Sequence, residues 1–213
     1  MLLAVGALAA AAAVLAQSPH AHQHGFGDAA QWAKEFDDPK RDAWQKPHEV
    51  IRALALRSDA VIADIGAGTG YFSVRFAHMV PKGRVYGVDA EPDMVKYLAE
   101  RAKRAGLANL IAVAATPGDA KLPEKVDLAV LVDVYHHIER RPDYFGRLRG
   151  ALKPDGRIAV IDFRMDSPYG PPPAARIAPD RVKAEMREAG YALESEHGFL
   201  PYQYFLVFRP GQS

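Results

Sequence analysis

No cysteine occurs among the 213 residues, so disulfides, thiolate metal sites and cysteine nucleophiles are all excluded. Neither sign of charge is in excess. The 27 Lys+Arg face 26 Asp+Glu for a formal net charge of +1, which argues against nucleic acid as a partner, since such proteins carry a basic surplus. Basic residues are missing from the whole N-terminal stretch, the first being Lys34. With 49% apolar and 25% charged residues the composition is that of a globular chain, not a disordered one. One core serves about 150–250 residues, so a single domain over residues 28–213 is expected, with no internal repeat.

Residues 1–16 are apolar apart from Gly6, a run shorter than the roughly 20 residues of a membrane span. They read as a signal peptide or an N-terminal anchor, with cleavage before Gln17 after Val14-Leu15-Ala16. An exported, periplasmic protein is expected, any membrane association being confined to this segment. The missing basic n-region leaves a misassigned start codon, and hence a cytoplasmic protein, as the alternative. Residues 17–27 form a linker with His20, His22 and His24. Alternate imidazoles bind divalent metals, but no carboxylate or further histidine closes a site here, and a solvated linker is the plainer reading.

From residue 28 onward helix-like and strand-like patterns alternate. Residues 28–36 and 41–55 have helical apolar spacing, broken by Asp37-Asp38-Pro39 and by Pro47. Apolar runs at 60–65, 84–89, 110–115, 126–133 and 157–163 read as buried strands. Helical stretches fall at 71–80, from Pro92 to a stop at Gly106, and from about Pro142. Lys153-Pro154-Asp155-Gly156 reads as a tight turn. A proline-rich loop at 164–178 and a helix at 179–189 follow, then strands at 191–197 and 203–209, antiparallel to each other. This pattern predicts an α/β, Rossmann-like fold: a seven-stranded sheet of five parallel strands plus a C-terminal antiparallel pair, with helices on both faces. Ligands of such sheets bind beyond the carboxyl ends of the strands, at the switch point.

Asp64-Ile65-Gly66-Ala67-Gly68-Thr69-Gly70 lies where a strand turns into a helix. Glycines at 66, 68 and 70 let the backbone turn sharply and let a ligand approach it. A dinucleotide fingerprint needs Gly or Ala at position 71, which is Tyr71. Asp64 puts a carboxylate beneath the loop, where it would repel a pyrophosphate but not a cationic cofactor. Asp89, at the end of the second strand, is placed to accept from ribose hydroxyls.

In these motifs the chain resembles the class I S-adenosylmethionine-dependent methyltransferases of small-molecule type. Residues 61–70 are similar to the family's first signature and 84–89 to its second. Thr116-Pro117-Gly118-Asp119-Ala120-Lys121-Leu122-Pro123 resembles its adenine-contacting loop, and Leu152-Lys153-Pro154-Asp155-Gly156 its turn before the fifth strand. The resemblance implies S-adenosylmethionine as cofactor, held by Asp64, Gly66, Gly68, Gly70, Asp89 and Asp119, and a methyltransferase acting on a small-molecule acceptor. An exported, non-catalytic binder of S-adenosylmethionine or S-adenosylhomocysteine is the alternative.

The chemistry is carried mainly by proximity and alignment, with a base needed only where the acceptor must lose a proton. Asp133, His136 and His137, after the fourth strand, are the catalytic candidates, His suiting base catalysis near neutral pH. Packing or hydrogen bonding at the loop is the other reading of the two histidines. Trp44 and Tyr135 are expected at the acceptor pocket, and Arg176 as a clamp for an anionic acceptor. No metal ligand set is expected.

Overall fold

The structure is a computed structural model and describes residues 28–211. The expectations for residues 1–16 and for the histidines of residues 17–27 lie outside the described residues. Among the described residues, no helix is long and apolar enough to cross a membrane.

Three short helices come first: α1 (Ala29–Phe36), α2 (Asp42–Gln45) and α3 (Pro47–Leu54), with a single 3-10 turn at Pro39–Arg41. Lys46 separates α2 from α3 in a left-handed conformation, φ 45°. Pro47 explains the break, because it has no N–H to continue α2, whereas its fixed φ suits the first turn of α3.

The sheet strands are β1 (Val61–Ile65), β2 (Arg84–Asp89), β3 (Leu110–Ala114), β4 (Val126–Val132), β5 (Leu152–Phe163), β6 (Tyr191–His197) and β7 (Gln203–Pro210). They form one sheet in the order β3-β2-β1-β4-β5-β7-β6. The first five are parallel, β7 runs antiparallel to β5, and β6 antiparallel to β7. The helices between them are α4 (Tyr71–Met79), α5 (Pro92–Arg104), α6 (Arg141–Leu148) and α7 (Pro179–Glu188).

Alternation along the strands sorts the core onto two faces. Ile62, Leu128, Val130, Ala159, Ile161, Phe205 and Val207 pack beneath α3, α4 and α5. Ala63, Ala129, Leu131, Ile158, Val160, Leu206 and Phe208 pack beneath α6 and α7. One boundary differs from the pattern reading. Lys153–Gly156 does not precede β5 but bulges out within it: Val126 pairs with Leu152 and Leu128 with Arg157. The bulge lets Leu152 stay buried in the same strand.

The chain runs from β1 to β2 and β3 on one side, then returns to place β4 on the other. The carboxyl ends of β1 and β4 therefore form the switch-point crevice, beneath the N-terminal helices.

Candidate active site

The loop after β1 is built by Gly66, Gly68 and Gly70, all at positive φ. At Gly66 (φ +71°) a Cβ would stand 2.3 Å from a Val134 methyl, so only glycine lets the β1 and β4 ends approach this closely. The loop's N–H groups point inward. Gly66 and Ala67 donate to the Val88 carbonyl, Gly70 to that of Ala67, and Gly68 to the Asp89 carboxylate at 2.8 Å. A phosphate cradle needs such groups free, whereas these are engaged. The buried Thr69 hydroxyl has no partner among the described residues.

Two carboxylates flank the loop. Asp64 accepts from the Ser73 hydroxyl at 2.5 Å; burial, aided by the charge of Asp89, pushes its carboxyl up to about 6. Asp89 is also raised by burial, opposed by the backbone N–H groups of Glu91 and Gly68. A buried and a half-buried acid beside backbone already satisfied suit a ligand bearing an ammonium, a sulfonium and ribose hydroxyls, and disfavour a polyphosphate. The residues present thus fit S-adenosylmethionine, with Asp64, Asp89 and the loop from Gly66 to Gly70 as its holders.

Asp119 lies on the loop between β3 and β4. Its half-exposed carboxylate is engaged by Lys121, through the backbone N–H at 2.9 Å and the ammonium at 2.8 Å.

Asp133 sits at the end of β4 with φ 60°, a conformation Asp tolerates better than most residues. Its carboxylate closes a ring of side chains. Arg41 donates to Asp133 at 3.1 Å and to Gln45 at 2.9 Å; Gln45 donates to Gln203 at 2.8 Å; Gln203 donates back to Asp133. The ring ties the N-terminal helices to β4 and β7. Burial dominates the Asp133 carboxyl and pushes it up to about 7, against the pull of Arg41; the Asp162 charge raises it further, while His136 and Gln203 lower it.

These raised acids have a consequence for stability. In the unfolded chain Asp64 and Asp133 titrate near pH ~3.9, so between there and pH 6–7 the folded state holds the extra protons. Stability is therefore expected to fall as pH rises through that window, by at most about 1.4 kcal/mol per pH unit for each group. Urea unfolding at stepped pH measures it. Asp133→Asn should flatten the slope between pH 4 and 7, and an unchanged slope would remove Asp133 as its source.

The 3-10 turn at Tyr135–His137 follows. His136 is turned inward, its Nδ1 at 2.9 Å from both oxygens of Asp162. His137 is exposed, its ring centroid 4.1 Å from that of His136. Tyr135 does not reach the crevice. It is fully buried under α6 and α7, stacked on Phe145 and donating to Glu185 at 2.8 Å, because one step along the turn carries it to the opposite side from His136. Arg176 is likewise not an arm into the site. Its guanidinium donates to the carbonyls of Pro171, Arg164, Met165, Ser167 and Tyr169, which in a proline-rich loop lack regular partners.

Trp44 stacks on Tyr169, centroids 5.0 Å apart at 9°, and lies 6.0 Å from Phe163 and 6.5 Å from Tyr202. The structure thus gathers Asp64, the glycines, Asp89, Asp133, His136 and Trp44 at the carboxyl edge, and leaves Asp119, Tyr135 and Arg176 engaged elsewhere. Sequence reading did not single out Arg41, Gln45, Asp162 or Gln203. Asp162 carried a signal: it is a lone acid in the apolar run Ile158–Phe163, as Asp64 is in Ala60–Ile65.

Residues 56–197 match the methyltransferase domain family. The chain is 32% identical over 138 residues to a tRNA U34 carboxymethyltransferase of Cellvibrio japonicus, covering 63% of this chain and 42% of that protein. It is 28% identical over 142 residues to a trans-aconitate 2-methyltransferase of Rhodopseudomonas palustris, covering 66% and 52%. It spans about half the length of the curated relatives it matches. A solved SAM dependent methyltransferase from Aquifex aeolicus superposes with a TM-score of 0.79 at 25% identity, covering 85% of this chain and 97% of that one. With more than half its length matched, under a glycine loop flanked by Asp64 and Asp89, the chain belongs to the class I S-adenosylmethionine-dependent methyltransferase family.

Proposed function

We propose that the protein methylates a small-molecule acceptor at the carboxyl edge of β4 and β5, using S-adenosylmethionine. The observation that carries this reading is the roofing of the crevice by the N-terminal helices. Asp37 is paired with Arg101 at 2.8 Å, and that Arg101 also donates to the Thr69 carbonyl at 2.9 Å. Arg41 closes the ring on Asp133. An aromatic edge of Trp44, Phe163, Tyr169 and Tyr202 beneath this roof suits a compact, ring-sized acceptor better than a folded macromolecule. The name of the trans-aconitate relative agrees in acceptor size; that of the tRNA relative does not.

When bound, the cofactor supplies an electrophilic methyl group on a sulfonium. Asp64 and Asp89 would anchor its polar ends, and Asp133 sets an acid at the end of β4. Arg41, Gln45 and Gln203 fix that carboxylate in one orientation. Proximity and alignment supply most of the acceleration, up to about 7–11 kcal/mol. The non-catalytic binder finds no supporting observation.

Methyl-labelled S-adenosylmethionine supplied to the full chain, with small-molecule extract, total RNA and protein as separate acceptors, tests the reading. Label should enter the small-molecule fraction. Label confined to RNA or protein would overturn the acceptor class, and no label in any fraction would favour the binder.

A further inference from the structure

Asp162 is the next-to-last residue of β5, and its side chain is almost fully buried, as is that of His136. Each oxygen of Asp162 already accepts a backbone N–H: Oδ2 from His136 at 3.1 Å and Oδ1 from Phe163 at 2.7 Å. With both oxygens accepting, the ring nitrogen facing them is the donor. Nδ1 therefore carries the hydrogen, and the lone pair of the neutral imidazole is on Nε2. Among the described residues, Nε2 has no hydrogen-bond partner, and it is not one of the buried unpaired atoms.

The surroundings are those of a reaction site. Asp133 lies within electrostatic reach of both members of the pair, with Arg41 behind it. Tyr204, opposite Asp162 on β7, has a buried hydroxyl with no partner among the described residues. Phe163, the next residue after Asp162, meets Trp44, and Trp44 stacks on Tyr169, so an aromatic cluster begins one residue from the pair.

We infer that Asp162 is a positioning residue that holds His136 as an Nε2 base, and that the acceptor is a planar compound bearing an ionisable hydroxyl, a phenol or enol. This rests on the small-molecule reading of the site. The acceptor oxygen forms its bond to the methyl carbon as the carbon–sulfur bond breaks, that electron pair returning to sulfur. The hydroxyl proton goes to Nε2 and from there to solvent. Asp162 keeps its place throughout, favouring the tautomer that accepts and the imidazolium that results.

Two measurements test the pair. Long-range nitrogen–proton NMR of the full chain should find His136 protonated at Nδ1. In Asp162→Asn the balance should move toward Nε2–H, since one amide cannot accept both backbone groups and the ring. Wild-type His136 protonated at Nε2 would overturn the inference. The second measurement is turnover of a series of simple phenols, with a thiophenol that is already a thiolate at the assay pH as control. Asp162→Asn and His136→Gln should each lower kcat on phenols at least ~100-fold, with KM within about twofold and thiolate methylation nearly unchanged. His136→Gln keeps the test open if Asp162→Asn does not fold. Equal losses on phenols and thiolate would make the pair merely structural. A wild type that binds S-adenosylmethionine yet methylates no phenol would overturn the acceptor class alone, whereas failure to bind it would overturn the reading beneath.

Discussion

Asp89→Ala should lose S-adenosylmethionine affinity by a factor of ~100 or more, read by calorimetric titration. The carboxylate is half-buried at the end of β2, where it holds the Gly68 N–H at 2.8 Å and the Glu91 N–H at 3.0 Å. Those two bonds fix its orientation before any ligand arrives. Hydrogen bonds to a charged acceptor contribute about 1.5–3 kcal/mol each, so losing the two ribose contacts costs about 3 kcal/mol or more, and each 1.4 kcal/mol is about tenfold. The glycine loop also loses its tether at Gly68, which adds to the loss. Asp89→Asn keeps one acceptor and should fall in between. Unchanged affinity in Asp89→Ala would remove the ribose assignment.

Arg41→Met should loosen the roof. One guanidinium holds the Phe36 carbonyl at 3.0 Å, the Gln45 amide at 2.9 Å and the Asp133 carboxylate at 3.1 Å, and it lies 4.3 Å from the centre of the Tyr71 ring. The Asp133 and Arg41 side chains are only 18% and 15% exposed. Removing the cation leaves a largely buried acid facing Gln203 alone, and breaking such a pair costs about 3 kcal/mol. Asp133 then takes up a proton at a higher pH than before. Amide exchange over residues 29–46 should accelerate about 100-fold at neutral pH, while strands β1, β4 and β5 stay protected. Arg41→Lys restores the charge but not the three-way fork, so it should recover only part of the protection. Uniform exchange across the chain in Arg41→Met would instead assign Arg41 to global stability.

The sheet was legible because its signals are local. Buried runs such as Val61–Ile65 and Val126–Val132 stand between helical stripes, and parallel order follows from that alternation. The glycine loop was legible for the same reason, as a contiguous run between Asp64 and Tyr71. What escaped reading is held together by distance. Gln45 and Gln203 meet across 158 positions, and Arg41 and Asp133 across 92; no periodicity marks either pair. Arg176 seemed free because its five acceptors are backbone carbonyls, which have no signature in a sequence. Tyr135 and His136 are adjacent yet point in different directions, since a 3-10 turn separates neighbours by about a third of a revolution.

The most direct measurement is equilibrium titration of the full chain with S-adenosylmethionine, and separately with NADH. The inward-turned loop and the flanking acids Asp64 and Asp89 predict saturable micromolar binding of S-adenosylmethionine and none of NADH. Saturable NADH binding without S-adenosylmethionine binding would contradict the account at its base.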